Sequence, residues 1–169
     1  GASTAADAFV ALKQDATSSA TGVVELAIAS EVNTGTDTTR AVTADALAGS
    51  NLGTMTLEAV AFDFTTDMAT GDGKAYMTVP SALGGMDLIG VHARVITAGT
   101  TSTCTIQIAN VTQAVDMLTT KISIDTTETG SDTAATPAVI DATNDDVAAY
   151  DLLRVDVDTI HTTAAKGLI

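Results

Sequence analysis

Aromatic side chains are nearly missing from this chain, with three Phe, two Tyr and no Trp among 169 residues. Aromatics normally supply much of a core's buried area. Val, Ile, Leu, Met and Ala must supply it here, in smaller increments. Positive charge is scarce too: seven Lys and Arg stand against 21 Asp and Glu, a formal net charge of −14. The seven are scattered, which argues against nucleic-acid binding, because neutralising phosphates takes clustered Lys and Arg. It also argues against an anionic membrane surface. The negative excess reads first as solubility and second as dense repetition of one subunit on a particle. One cysteine, Cys104, excludes an intrachain disulfide and any CxxC motif. Its neighbours Thr103, Thr105 and Ile106 read as a strand, so the thiol is expected to be buried and inert rather than nucleophilic. No apolar run reaches the roughly 18 residues that a spanning helix needs.

What the chain does have is threonine and alanine, 31 and 30 residues. Threonine is stiff at χ1, suits strands and is poor inside helices. Together with frequent glycine and short apolar runs it predicts a mainly β protein. A core of small side chains also suggests that oligomerisation adds buried area. Gly1-Ala2-Ser3 carries neither an initiator Met nor a secretion signal and reads as a processed end, a cloning remnant or an internal start. Lys166 to Ile169 begins a strand, which leaves room for a longer natural chain.

Three segments follow from patterning. Residues 1–21 are an arm and linker. Thr4 as N-cap and Ala5, Phe9 and Leu12 on one face suit a short helix over 4–14, and a loose terminus suits the segment equally well. Residues 22–53 form a small mixed α/β attachment module. It has a strand at Gly22–Ala27, a helical turn after Ser30, a turn at Thr34–Asp37 and a second turn of helix capped by Thr43. Residues 54–169 are expected to form an antiparallel β-sandwich, jelly-roll-like, with strands near 56–64, 74–79, 86–97, 102–110, 115–125, 137–142, 151–160 and from 166. The clearest period-2 faces are Val91, Ala93, Val95 against His92, Arg94; Cys104, Ile106, Ile108 against Thr105, Gln107; and Leu153, Val155, Val157 against Arg154, Asp156, Asp158. Turns are expected at Thr70–Gly73, Leu83–Gly85, Thr97–Gly99 and Thr129–Asp132.

Residues 22–43 carry a resemblance. Gly22-Val-Val-Glu-Leu-Ala27, followed by Glu31-Val-Asn-Thr-Gly-Thr-Asp-Thr-Thr-Arg-Ala-Val-Thr43, resembles a recurring module of tailed-bacteriophage tail fibres. Ala44 departs from the proline often found there; both residues suit a first helical turn. The later phrases Asp72–Tyr76, Asp87–His92 and Asp151–Val157 are similar to strands of phage structural β-domains. The resemblance implies a non-enzymatic, homotrimeric component of the virion surface. On this reading it is a fibre or adhesin for host attachment, or else a head fibre or capsid decoration protein bound to the major capsid protein. A cellular adhesin or filament subunit is a third reading. The implied partners are two further copies of the chain, another virion protein reached through the N-terminal segment, and a host-surface glycan or protein. Gly35 would take a φ > 0 turn. Arg40 would pair with Asp37 or Glu31, and Val23, Leu26, Val32, Val42 and Leu47 would cluster.

Chemistry finds little footing. His92 and His161 lack any HxxxH or HExxH context, and His92 falls on a polar strand face. A histidine from each of three chains around a trimer axis is the sharper alternative. Asp125, Asp132, Asp145, Asp146 and Asp151 gather near two loops, as calcium ligands do, but aspartate is also a default turn residue and no EF-hand spacing occurs. Nucleophile-elbow, phosphate-loop and zinc motifs are missing. Two Tyr and no Trp argue against a saccharide-processing cleft. No catalytic, metal-ligating or cofactor-binding residue is assigned.

Overall fold

A computed structural model describes residues 24–169; the expected helix over 4–14 and Val23 lie outside the described residues. Among the described residues strand outweighs helix, 34% against 12%, and every ladder is antiparallel, so the chain is mainly β. It divides into two units, one ending at Thr56 and the other running from Leu57 to Ile169.

The first unit is tied by polar chemistry. The strand expected at Gly22–Ala27 is reduced, among its described residues, to an isolated parallel bridge between Leu26 and Ala41, with Ala27 N–H donating to the Ala41 carbonyl at 2.9 Å. Between them lies α1, Ala29–Thr34. Its first turn is held by Glu31, whose carboxylate accepts from Ile28 N–H at 3.0 Å; isoleucine has no acceptor to return. The helix closes at Gly35, left-handed at φ 65°, a conformation glycine adopts without Cβ strain. Asp37 Oδ1 accepts from the Thr39 amide and hydroxyl, both at 2.7 Å, which bends the chain back. Arg40 lies where these pieces meet. Its Nη1 donates to Glu31 and, at 2.7 Å, to Asp37, and its Nε lies 3.3 Å from Glu25, too poorly aligned for a hydrogen bond. Helix α2, Ala44–Ala48, starts where expected, with Thr43 Oγ1 accepting from Ala46 N–H at 3.1 Å. Among the described residues the expected apolar cluster does not form. Leu26, Val42 and Leu47 are exposed, and burial falls to the smaller Ala27, Ala46 and Ser50.

The second unit is built on a five-stranded sheet. Its order is β1 (Gly71–Thr78), β10 (Leu152–Thr159), β4 (Cys104–Asn110), and then one far edge shared by β5 (Val115–Asp116) and β7 (Ile122–Ile124). From Ala109 to Ile106 is three steps along β4, but the partners run six, from Asp116 to Ile122. The expected strand over 115–125 is therefore one edge broken by a three-residue slip. The excess bulges out as β6 (Leu118–Thr120), which pairs with β8 (Val139–Ile140). Two further ladders join β3 (Val95–Thr97) to β11 (Lys166–Leu168) and β2 (Met86–Asp87) to β9 (Asp146–Val147).

Alternation sets the faces as expected. Leu153, Val155 and Val157 share one side with Ile106 and Ile108 opposite them, and Ile122 and Ile124 follow. Val155, Val157, Ile106, Ile122 and Ile124 share an apolar cluster with Val95, Leu168 and Leu118 from the small ladders, and Leu153 belongs to a second cluster with Val79, Leu83 and Met117. Leucine, isoleucine, valine and methionine fill them, and the largest fully buried side chains include no Phe, Tyr or Trp.

Three expectations need correction. Residues 56–64 form no strand. Asp63 Oδ1 accepts from the amides of Thr65 and Thr66 and from the Thr66 hydroxyl, closing a turn that competes with a ladder. Residues 86–97 are two short strands, because Arg94 and its neighbours bond instead to Gly130, Ser131 and the C-terminal residue Ile169. Thr70–Gly73 is not a free turn. Gly71 to Gly73 opens β1 with a register irregularity, and Gly73 N–H donates to Asp156 at 2.8 Å.

Candidate functional site

The residues singled out by sequence do not come together. Cys104 is fully buried, and burial pushes its thiol up to about 12. It is expected to stay unreacted with a thiol reagent at pH 8 until the protein is unfolded; rapid modification of the folded chain would contradict this placement. His92 is exposed and lies 3.3 Å from Asp132, whose carboxyl is held below its ordinary range by its own backbone amide and then by His92. His161 is 1% exposed; its ring lies over Gly99, and Nε2 is 3.3 Å from the Asp125 carbonyl. The two histidines thus occupy different surroundings, one wet and one dry.

The five aspartates serve separate tasks. Asp125 braces its own loop, accepting from Ala135 N–H at 2.8 Å. Asp146 stands directly across the β2–β9 ladder from Asp87. Asp87's carboxyl is raised, first by its hydrogen bond with Asp146, then by burial and the nearby charge of Asp145. Asp151 is buried and structural. Its Oδ2 collects donors from Asn110 (2.8 Å), Gln113 (2.7 Å) and Ala148 N–H (2.9 Å), which hold its carboxyl below the ordinary range. Among the described residues no three His, Cys, Asp or Glu side chains converge as a metal site would require. No helix among them is long and apolar enough to cross a membrane.

Two clefts open on the second unit. One, of about 280 Å³, lies beside Ile89, Val91, Ile140 and Pro137, with the His92–Asp132 pair on its rim. The larger, about 550 Å³, lies on the outer face of the five-stranded sheet, between Ala109 and Arg154 on one side and Asp141 and Asn144 on the other. Arg154 is firmly set there. Its Nε and Nη2 both donate to Asp156 Oδ2, at 3.0 and 2.7 Å, and Asp72 lies 3.5 Å away. Asp156 is in turn only 5% exposed and fixed by Gly73 N–H. Sequence alternation had placed Arg154 and Asp156 on the polar side. It carried no signal that Tyr76 and Asp116 share their row, because that depends on cross-strand register.

The first unit presents a different surface. Leu26, Ile28, Val42, Leu52 and Met55 are all more than half exposed, around an interior of alanines.

No family model, curated protein or solved structure matches the chain. Its functional reading therefore rests on its own residues.

Proposed function

We propose that this chain is a non-enzymatic structural protein of a tailed-phage virion, a trimeric fibre or adhesin. On this reading residues 22–53 assemble it with its own copies and another virion protein, and residues 54–169 face the host. The observation that carries the proposal is the outward apolar surface of the first unit. Roughly 30 residues braced by one arginine bury too little apolar area to hold together alone. Leu26, Ile28, Val42 and Leu52 are each more than half exposed, and apolar side chains held in water are what a partner would cover. The resemblance of residues 22–43 to fibre modules supports the same reading, and three identical copies would cover such a face by symmetry.

The second unit, on this reading, is a β-sandwich. Its five-stranded sheet is one layer, and the β3–β11 and β6–β8 ladders, which contribute Val95, Leu168 and Leu118 to the same core, are the second.

The reading is tested by sedimentation of the purified chain and by antibody labelling of particles. A trimer is expected, with a melting temperature that falls on dilution. The double change Leu26→Asp, Val42→Asp is expected to give monomers whose second unit keeps its β circular-dichroism signal. Label on tail tips supports the fibre, whereas label over the head moves the protein to capsid decoration. A wild-type monomer at micromolar concentration, with no label on particles, overturns the proposal.

A further inference from the structure

We propose that the outer face of the five-stranded sheet binds a neutral oligosaccharide along the row of residues from Tyr76 to Asp116; this rests on the host-attachment reading and names the ligand class and the site. Cross-strand register builds the row. Tyr76 of β1 stands opposite Arg154 of β10, Arg154 opposite Ala109 of β4, and Ala109 opposite Asp116 of β5. Residues directly opposite in an antiparallel ladder point to the same side. The four therefore form one row across three strand spacings, about 14 Å at roughly 4.8 Å each. Ala109, the smallest side chain of the row and only 5% exposed, lines the 550 Å³ cleft with Arg154 and Asp116, a volume within the range of small-molecule sites; Tyr76 stands outside its lining, at the other end of the row.

The row offers what sugars use. Tyr76 is 56% exposed, although most large side chains of this sheet are turned inward. Its hydroxyl end lies over Gly73, where any Cβ would collide with the ring, so that glycine makes room for the aromatic side chain beside the strand. An exposed ring can take the C–H face of a pyranose. Arg154 is anchored by two of its nitrogens on Asp156, and its Nη1 has no protein partner among the described residues. Asp116 is exposed and likewise has no protein partner among them. Across the cleft Asn144 spends its amide nitrogen on Asp141 at 2.8 Å, leaving its carbonyl oxygen as an acceptor. One preset donor and two acceptors of different strength suit hydroxyl groups, which both donate and accept. Little ordering remains to be done on binding, because Asp156 and Asp141 already hold their neighbours.

Charge selects the class. Asp72 and Asp156 flank Arg154, and Asp116 and Asp141 line the cleft, so the guanidinium is more than balanced by carboxylates. A uronate or other acidic sugar would meet net repulsion, added to that of a chain carrying −14. The scarcity of aromatics that argues against a saccharide-processing cleft does not weigh against this site, which needs one ring as a platform and no pair of reacting carboxylates.

The test is calorimetric titration of the full chain with trisaccharides based on glucose, galactose, mannose and N-acetylglucosamine, and with trigalacturonate as the acidic counterpart. Millimolar or tighter binding of at least one neutral sugar is expected, with none of trigalacturonate. Tyr76→Ala and Asp116→Ala, both at exposed positions, are each expected to weaken that binding at least tenfold while leaving the melting temperature unchanged. The site is overturned if folded wild-type protein binds no neutral member, if both variants bind as the wild type does, or if trigalacturonate binds as well as the neutral sugars. A trimer found on particles that binds none of them sinks this site and leaves the attachment reading standing. Sugar binding by a monomer missing from particles does the reverse.

Discussion

Ile106→Ala is expected to lower the melting temperature of the second unit by at least about 10 °C. Ile106 is 1% exposed and lies between Val157 on one neighbouring strand and Ile122 on the other. Truncating a buried isoleucine costs about 2–5 kcal/mol, from lost transfer energy and the cavity left behind. For a unit of this size, between the small and the large domains, each kcal/mol moves the midpoint by roughly 3–5 °C. The upper part of the range is the better expectation here. The surrounding side chains are β-branched and pinned in sheet ladders, so they collapse poorly into a void. Ile89→Ala is the control, since Ile89 is 74% exposed and its loss is expected to move the midpoint by no more than about 2 °C. Calorimetry of both variants decides the matter; a shift below about 3 °C for Ile106→Ala would mean that this strand does not form the centre of the core.

Asp151 is expected to be the most costly polar residue to remove. Asp151→Ala leaves Asn110 Nδ2, Gln113 Nε2 and the Ala148 amide without their common acceptor, and the site is buried. Each unsatisfied buried donor costs about 1–3 kcal/mol. Gln113, which is exposed and also reaches the Asp146 carbonyl, can turn elsewhere, whereas Asn110 and the Ala148 amide cannot, so the expected loss is about 2–6 kcal/mol. Asp151→Asn separates charge from geometry. All three donors meet one oxygen, which the amide oxygen can replace, so most of the stability at pH 7 is retained. The pH profile then differs in a definite direction. The folded carboxyl lies below its ordinary value of 3.8, first through Asn110, then Ala148, with Gln113 contributing less. A lowered value means stabilisation that is fully present above the unfolded pKa and lost as pH falls through the folded one. Wild-type stability should therefore drop on acidification below about pH 4, and the Asn variant should drop less steeply. Asp37, Asp63, Asp132 and Asp141 are lowered too and keep some slope, whereas Asp87, raised by Asp146, works in the opposite direction. Urea unfolding from pH 7 to pH 2 measures this; parallel profiles for wild type and Asn variant would remove Asp151 from the account.

Much of this was legible in the residues. Thr43 as cap, Gly35 as the left-handed turn and Arg40 as the tie between Glu31 and Asp37 depend on contacts within about ten positions, where side-chain chemistry and backbone geometry are coupled locally. The inner faces of β4 and β10 were legible because strand periodicity is rigid. The run over 56–64 has the apolar pattern of a strand, but Asp63 ends it by turning the backbone at Thr65 and Thr66. Asp156, Gln107 and Asp151 carried no warning of burial. Each is buried because a distant partner satisfies it: Gly73 N–H, the Leu118 carbonyl and Asn110 respectively.

The sequence by itself determined that the chain is mainly β, that its core is aliphatic, which side of β4 and of β10 faces inward, and that its first 30 described residues are organised by caps and one arginine. These follow from composition, period and short-range hydrogen bonds, all carried by adjacent residues. Only the tertiary structure decided the three-residue slip that divides the β4 edge between β5 and β7, the dispersal of the five aspartates, and the row from Tyr76 to Asp116. Those depend on which strand lies beside which and in what register. That is settled by closing loops of tens of residues around a shared core, a cost and a reward to which no local stretch of sequence responds.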